Sequence, residues 1–104
     1  MKVHVALASF IFTLCAATAS AEMSQGVVAV GERGCLKSDK IVIYTKRDFV
    51  IAEVHSGFFD KDDFVIGDLN SYGFKNVLVN GRSGKIYVDD YMLSREQAAE
   101  KCYK

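Results

Sequence analysis

The 104-residue chain contains no tryptophan and no proline, two histidines and three cysteines. Without tryptophan it lacks the large flat ring that sugar faces usually stack on. Two histidines leave hydrolytic chemistry little to build on. His4 lies in the leader described below, and His55 stands beside Ser56, but adjacent residues rarely face each other along a strand or turn, and no orienting third group can be assigned. His55 therefore reads as a solvated turn histidine; no catalytic residue and no cofactor is expected. Charge of either sign is not in excess, with 13 Lys+Arg against 13 Asp+Glu. No basic surplus exists to neutralise a phosphate backbone, so nucleic acid is not an expected partner. Repeats, linkers and low-complexity tracts are absent as well.

One long apolar run is present, and it lies at the start. Met1-Lys2 supplies a positive charge, Val3 to Ala17 is almost wholly apolar, and Ala19-Ser20-Ala21 is an A-x-A cleavage site. That order is the grammar of a secretory signal peptide, residues 1–21, cleaved after Ala21. The run is shorter than the about 20 residues a membrane span needs. The bulky Leu14 before Cys15 argues against a lipidated cysteine. The expectation is a periplasmic or secreted protein, with no stable membrane insertion after cleavage, folded as a single domain over 22–104.

Cys15 departs with the leader, so Cys35 and Cys102 remain, and two cysteines in an exported chain permit a single intramolecular disulfide. Closing so long a loop contributes up to about 4 kcal/mol in the chain-entropy model. So small a domain buries a limited core and gains from a staple.

Along the rest of the chain the pattern is β. Glu22–Gln25 reads as a loose polar leader to the fold. Val27–Val30, Ile41–Thr45, Phe49–Val54, Phe64–Ile66, Phe74–Val79 and Lys85–Val88 are rich in β-branched and aromatic residues and bounded by glycine or charged turns. The Phe49–Val54 run is nearly continuous rather than alternating, which suits a strand covered on both faces. Asn80-Gly81-Arg82-Ser83-Gly84 is a hairpin turn, because Asn-Gly tolerates positive φ. Ser94-Arg95-Glu96-Gln97 is a capping box opening a helix over about 95–102. Together these predict a mostly β fold: a small antiparallel barrel with a short C-terminal helix, stapled by one disulfide.

Three groups of residues are candidates for contact. Asp60, Asp62 and Asp63 form an acidic loop. It lacks calcium-loop spacing, since Lys61 interrupts it and Phe64-Val65 stand where further ligands and glycine belong, so no metal site is expected. Phe58 and Phe59 are neighbours, so in an extended chain they point to opposite sides and one is exposed. Tyr72, in a glycine-flanked loop, and Tyr91, after Asp89-Asp90, suit a surface patch shared with one of the two phenylalanines.

The stretch Gly67-Asp68, Phe74-Lys75-Asn76-Val77, Asn80–Gly84, Tyr87-Val88 and Tyr91-Met92-Leu93 resembles the end of bacterial SH3-like domains: a turn, an aromatic strand with Lys-x-Val, an N-G turn, a further strand and a closing tyrosine-leucine. The likeness covers about a third of the chain after the leader. Phe74 and Lys85-Ile86-Tyr87 stand where that family often carries tryptophan. The resemblance implies an SH3-like barrel acting as a non-enzymatic interaction module of the cell envelope, with peptidoglycan or an envelope protein as target. The residues themselves also allow a different class, a small exported inhibitor or immunity protein that binds a cell-wall hydrolase or toxin through Asp60–Asp63 or a hairpin tip.

Overall fold

The computed structural model describes residues 23–104; the expected leader, residues 1–21, lies outside the described residues. Six strands and a helix follow in order: β1 (Ser24–Val30), β2 (Lys40–Tyr44), β3 (Phe49–Ser56), β4 (Phe64–Gly67), β5 (Gly73–Val79), β6 (Arg82–Leu93) and α1 (Arg95–Tyr103). All pairs are antiparallel, and the sheet closes on itself in the order β1-β2-β3-β6-β5-β4, with β4 returning to β1. Closure leaves none of these strands with an unpaired edge.

Alternation decides what fills the barrel. Val28, Ile41, Ile43, Val50, Ala52 and Ile86 turn inward and are fully buried, together with Phe59 and Leu69 from the connecting loops. A second, smaller core lies outside the wall. There Val42, Ile51 and Leu93 point outward and are covered by Ala98 and Cys102 of α1, with Cys35 beside them. The unbroken apolar run of β3 follows from this arrangement: Val50 and Ala52 serve the inner core and Ile51 the outer one.

β3 runs two residues past its expected end, so His55 lies in a strand rather than in a turn, and two other strands exceed their expected bounds by more. The polar residues Ser24 and Gln25 are strand rather than loose leader, because their backbone pairs with Gly67 and Ile66 of β4. β6 continues from Val88 to Leu93, with register shifts against β3 that break the side-chain alternation and hide the strand from a period-2 reading. The hairpin turn is tighter than expected. Asn80 (φ 51°) and Gly81 (φ 85°) alone form it, and Val79 faces Arg82. Positive φ at both central residues is the type I′ geometry whose twist matches the strands. Gly84 is already inside β6, where a Cβ would sit 3.0 Å from the Phe59 ring.

At the C-terminus the expected capping box is present. The Ser94 hydroxyl accepts from the Gln97 amide at 3.1 Å, and the Gln97 side-chain oxygen accepts from the Ser94 amide at 2.9 Å. Cys35 and Cys102 are joined in a disulfide, and the Leu36 amide donates to the Cys102 carbonyl at 2.7 Å. Among the described residues no helix is long and apolar enough to cross a membrane.

Candidate functional site

The loop between β3 and β4 meets the tip of the β5–β6 hairpin at one end of the barrel. Phe59 anchors it: its ring is fully buried in the inner core, its amide donates to the Glu32 carboxylate at 2.9 Å, and its carbonyl accepts from the Glu32 amide at 3.1 Å. Phe59 is therefore not a surface residue, as a pairing of the two phenylalanines had allowed. The gap left by Gly84 admits its ring, and Phe58 is turned outward at 82% exposure. Beside Phe58 opens a cleft of about 410 Å³ lined by Gly57, Asp60, Asp63, Asn80, Arg82 and Ser83.

The three aspartates of the loop do not act as one cluster. Asp63 is a structural clamp. Its carboxylate accepts from the Asp60 amide and from the Asn80 side-chain amide, both at 2.9 Å, while the Asn80 oxygen accepts from the Phe64 amide at 2.9 Å. Asp62, at φ 77°, faces away into a different groove, with its carboxylate 3.6 Å from the Lys61 ammonium. Asp60 and Asp63 both line the cleft without an ion pair among the described residues, but only the Asp60 carboxylate is also free of hydrogen bonds there, and Arg82, on the same cleft, is likewise unpaired. No group of three or more His, Cys, Asp or Glu side chains among the described residues is placed to hold a metal ion.

Tyr72 and Tyr91 do meet, edge to face, with ring centroids 4.8 Å apart. Tyr72 is exposed and its hydroxyl donates to Asp90 at 3.3 Å; Tyr91 is half-buried against the inner core. The Asp90 carboxylate beside Tyr72 pushes its phenol above the ordinary value. Asp90 also accepts from the Tyr91 amide and lies 3.5 Å from the Lys101 ammonium. Neither phenylalanine joins this pair. Gly73, next to Tyr72, pairs with Val88, whereas Phe58 borders Ser83 at the far end of the hairpin, about 17 Å along the strand. The expected shared patch is thus two separate surfaces.

Other aromatic groupings escaped the sequence reading. Phe74, 57% exposed, packs edge-on against His55 (4.8 Å) and Tyr87 (4.9 Å), with the Lys85 ammonium 5.2 Å from its ring. Phe74 and Tyr87 are direct partners in register, so a hairpin register counted from Asn80-Gly81 locates the pair. His55 itself lies near the end of β3, 3.9 Å from the Glu53 carboxylate. Next to it, burial alone would lower the pKa of Lys40, but Asp89 at 2.6 Å, Glu53 at 3.7 Å and Asp39 hold its ammonium above the ordinary value. These contacts tie β2, β3 and β6 together on the outer wall.

What the cleft offers is an aromatic knob on a fixed loop, flanked by one carboxylate and one guanidinium. Comparisons of the chain with protein-family models, with curated proteins and with solved structures find no match.

Proposed function

We propose that the protein is an exported, non-enzymatic binding module of the cell envelope that contacts an envelope protein through the Phe58 cleft. One observation carries the reading: Phe58 stands 82% exposed beside the cleft while its neighbour Phe59 is wholly buried. An aromatic side chain held out by a loop whose backbone is already bonded loses little freedom on binding, and such residues dominate protein interfaces. Asp60 and Arg82 on the rim supply orientation. The leader expected over residues 1–21 and the resemblance of the 67–93 region to bacterial SH3-like domains both favour an envelope location. Peptidoglycan is the weaker target, since the chain has no tryptophan to stack on a sugar face.

A second reading draws on the same geometry. A knob beside a hairpin tip suits insertion into the active-site cleft of a cell-wall hydrolase or toxin, which would make the protein an inhibitor or immunity protein.

The test uses immobilised oxidised protein and envelope extract, with Phe58→Ala and Tyr72→Ala as parallel baits. The reading expects a captured protein that is lost with Phe58→Ala and kept with Tyr72→Ala. Co-sedimentation with purified sacculi that survives Phe58→Ala would overturn it in favour of wall binding elsewhere. Loss of hydrolase activity on stoichiometric complex formation would select the inhibitor reading.

A further inference from the structure

The outer wall of β4, β1, β2 and β3 carries a row of apolar side chains in a single line of register. Phe64 pairs with Val27, Val27 with Tyr44, and Tyr44 with Phe49. Their inner neighbours Val65, Val28, Ile43 and Val50 are fully buried, so the four of the row point outward. Phe64 and Tyr44 are each 41% exposed and Val27 is 38% exposed, and the Tyr44 and Phe49 rings lie 4.9 Å apart. α1 covers the adjoining part of this wall, and of the row only Phe49 packs against the small core beneath it. A groove of about 380 Å³ remains over Val27, Ala29, Tyr44 and Phe49, and it shares Ala29, Phe49 and Arg95 with a hollow of about 180 Å³ beneath α1.

Charge narrows what fits there. The ionisable groups lining the groove are Lys61, Asp62 and Arg95. Lys61 and Asp62 satisfy each other, while Arg95 makes no ion pair among the described residues. Arg95 is also the first residue of α1, where a cation opposes the helix dipole, so its place is not explained by helix stability. The joining turn beside Tyr44 and Phe49 adds exposed Lys46 and Arg47. Because the barrel is closed, strand addition is unavailable, and an occupant must be held by side chains.

We propose that this groove docks an apolar peptide segment of a partner protein bearing a carboxylate that reaches Arg95. The surface is separate from the Phe58 cleft and does not depend on it.

The test is a titration of isotope-labelled, oxidised protein, followed by amide NMR, with a short synthetic peptide alternating leucine and glutamate and with its leucine–lysine counterpart. The proposal expects shifts at Val27, Ala29, Tyr44 and Phe49 for the glutamate peptide alone. Arg95→Glu, which suits the helix dipole and so spares the fold, should weaken that peptide by about 10-fold and admit the lysine one. Phe58→Ala should leave the peptide-induced shifts in this groove as they are, whatever it does to capture through the Phe58 cleft. Equal response to both peptides, or no response in the groove, overturns the proposal. So does concentration-dependent dimerisation that broadens these amides, which would assign the wall to a second copy, or their selective broadening by phosphatidylglycerol vesicles, which would assign it to lipid.

Discussion

Replacing Cys35 and Cys102 together by alanine isolates the contribution of the staple. The two residues are separated by 67 positions, and a loop of that length contributes about 4 kcal/mol through the entropy it removes from the unfolded chain. A domain of this size has a total stability of only about 5–10 kcal/mol. With about 4–8 °C of Tm per kcal/mol, the double variant should melt roughly 16–32 °C lower than the oxidised protein. Loss should also be uneven. α1 has nine residues, below the about 12–15 at which an isolated helix is marginal, and it buries only Ala98 and Cys102 against the wall. Its amides should therefore exchange well before those of β3. Urea melts of the oxidised protein, of the phosphine-reduced protein and of the double variant measure the first effect, the reduced arm separating the covalent tie from the volume of the sulfur atoms. Hydrogen exchange measures the second. Stabilities within about 1 kcal/mol of one another, or α1 amides as protected as those of β3 in the double variant, would refute the reasoning.

Three further outcomes follow from individual side chains. Phe59→Ala should cost about 3–5 kcal/mol in urea denaturation, because it empties the inner core, whereas Phe58→Ala should stay within about 0.5 kcal/mol of the parent. Asn80→Asp keeps an acceptor for the Phe64 amide but sets a carboxylate against that of Asp63, so at neutral pH it should cost about 1–3 kcal/mol, read from the urea midpoint. Burial alone would raise the pKa of Asp68, but the Ser71 hydroxyl, the Lys75 ammonium and the Asn70 amide together hold its carboxyl below the ordinary value. A lowered folded-state pKa contributes stability that is fully present above the ordinary carboxylate range and is lost as pH falls through the folded value. Midpoints measured from neutral pH downward should therefore fall less steeply in acid for Asp68→Asn than for the parent, and parallel curves would exclude this role for Asp68.

Local signals carried much of the fold. β2, β3 and β5 were legible because their β-branched and aromatic runs are bounded by turns, and the capping box because its two hydrogen bonds span three residues. The pairing of Cys35 with Cys102 was legible by elimination. The ends of β1 and β6 were not, since Ser24-Gln25 and Asp89-Asp90 are polar residues whose strand state comes from partners far along the chain. The acidic residues show the same limit. Asp63 binds Asn80 across 17 positions and Asp89 binds Lys40 across 49, so nothing local tells a structural carboxylate from a free one. Likewise nothing local marks Tyr44, Phe49 and Phe64, each in a different strand, as members of one group. Only the register shows that they share the outside of the wall.

The position of β6 orders the assembly of the molecule in time. It is the last strand in the chain and the common neighbour of β3 and β5. A chain made or threaded from its N-terminus can form the meander β1–β2–β3 early and hang β4 and β5 from β1, yet it remains an open sheet until the twelve residues of β6 arrive. Only then can α1 bring Cys102 to Cys35. The Cys35–Cys102 tie thus lies behind the last strand in chain order, and a chain that stops short of β6 leaves β3 and β5 each without a neighbour on one side.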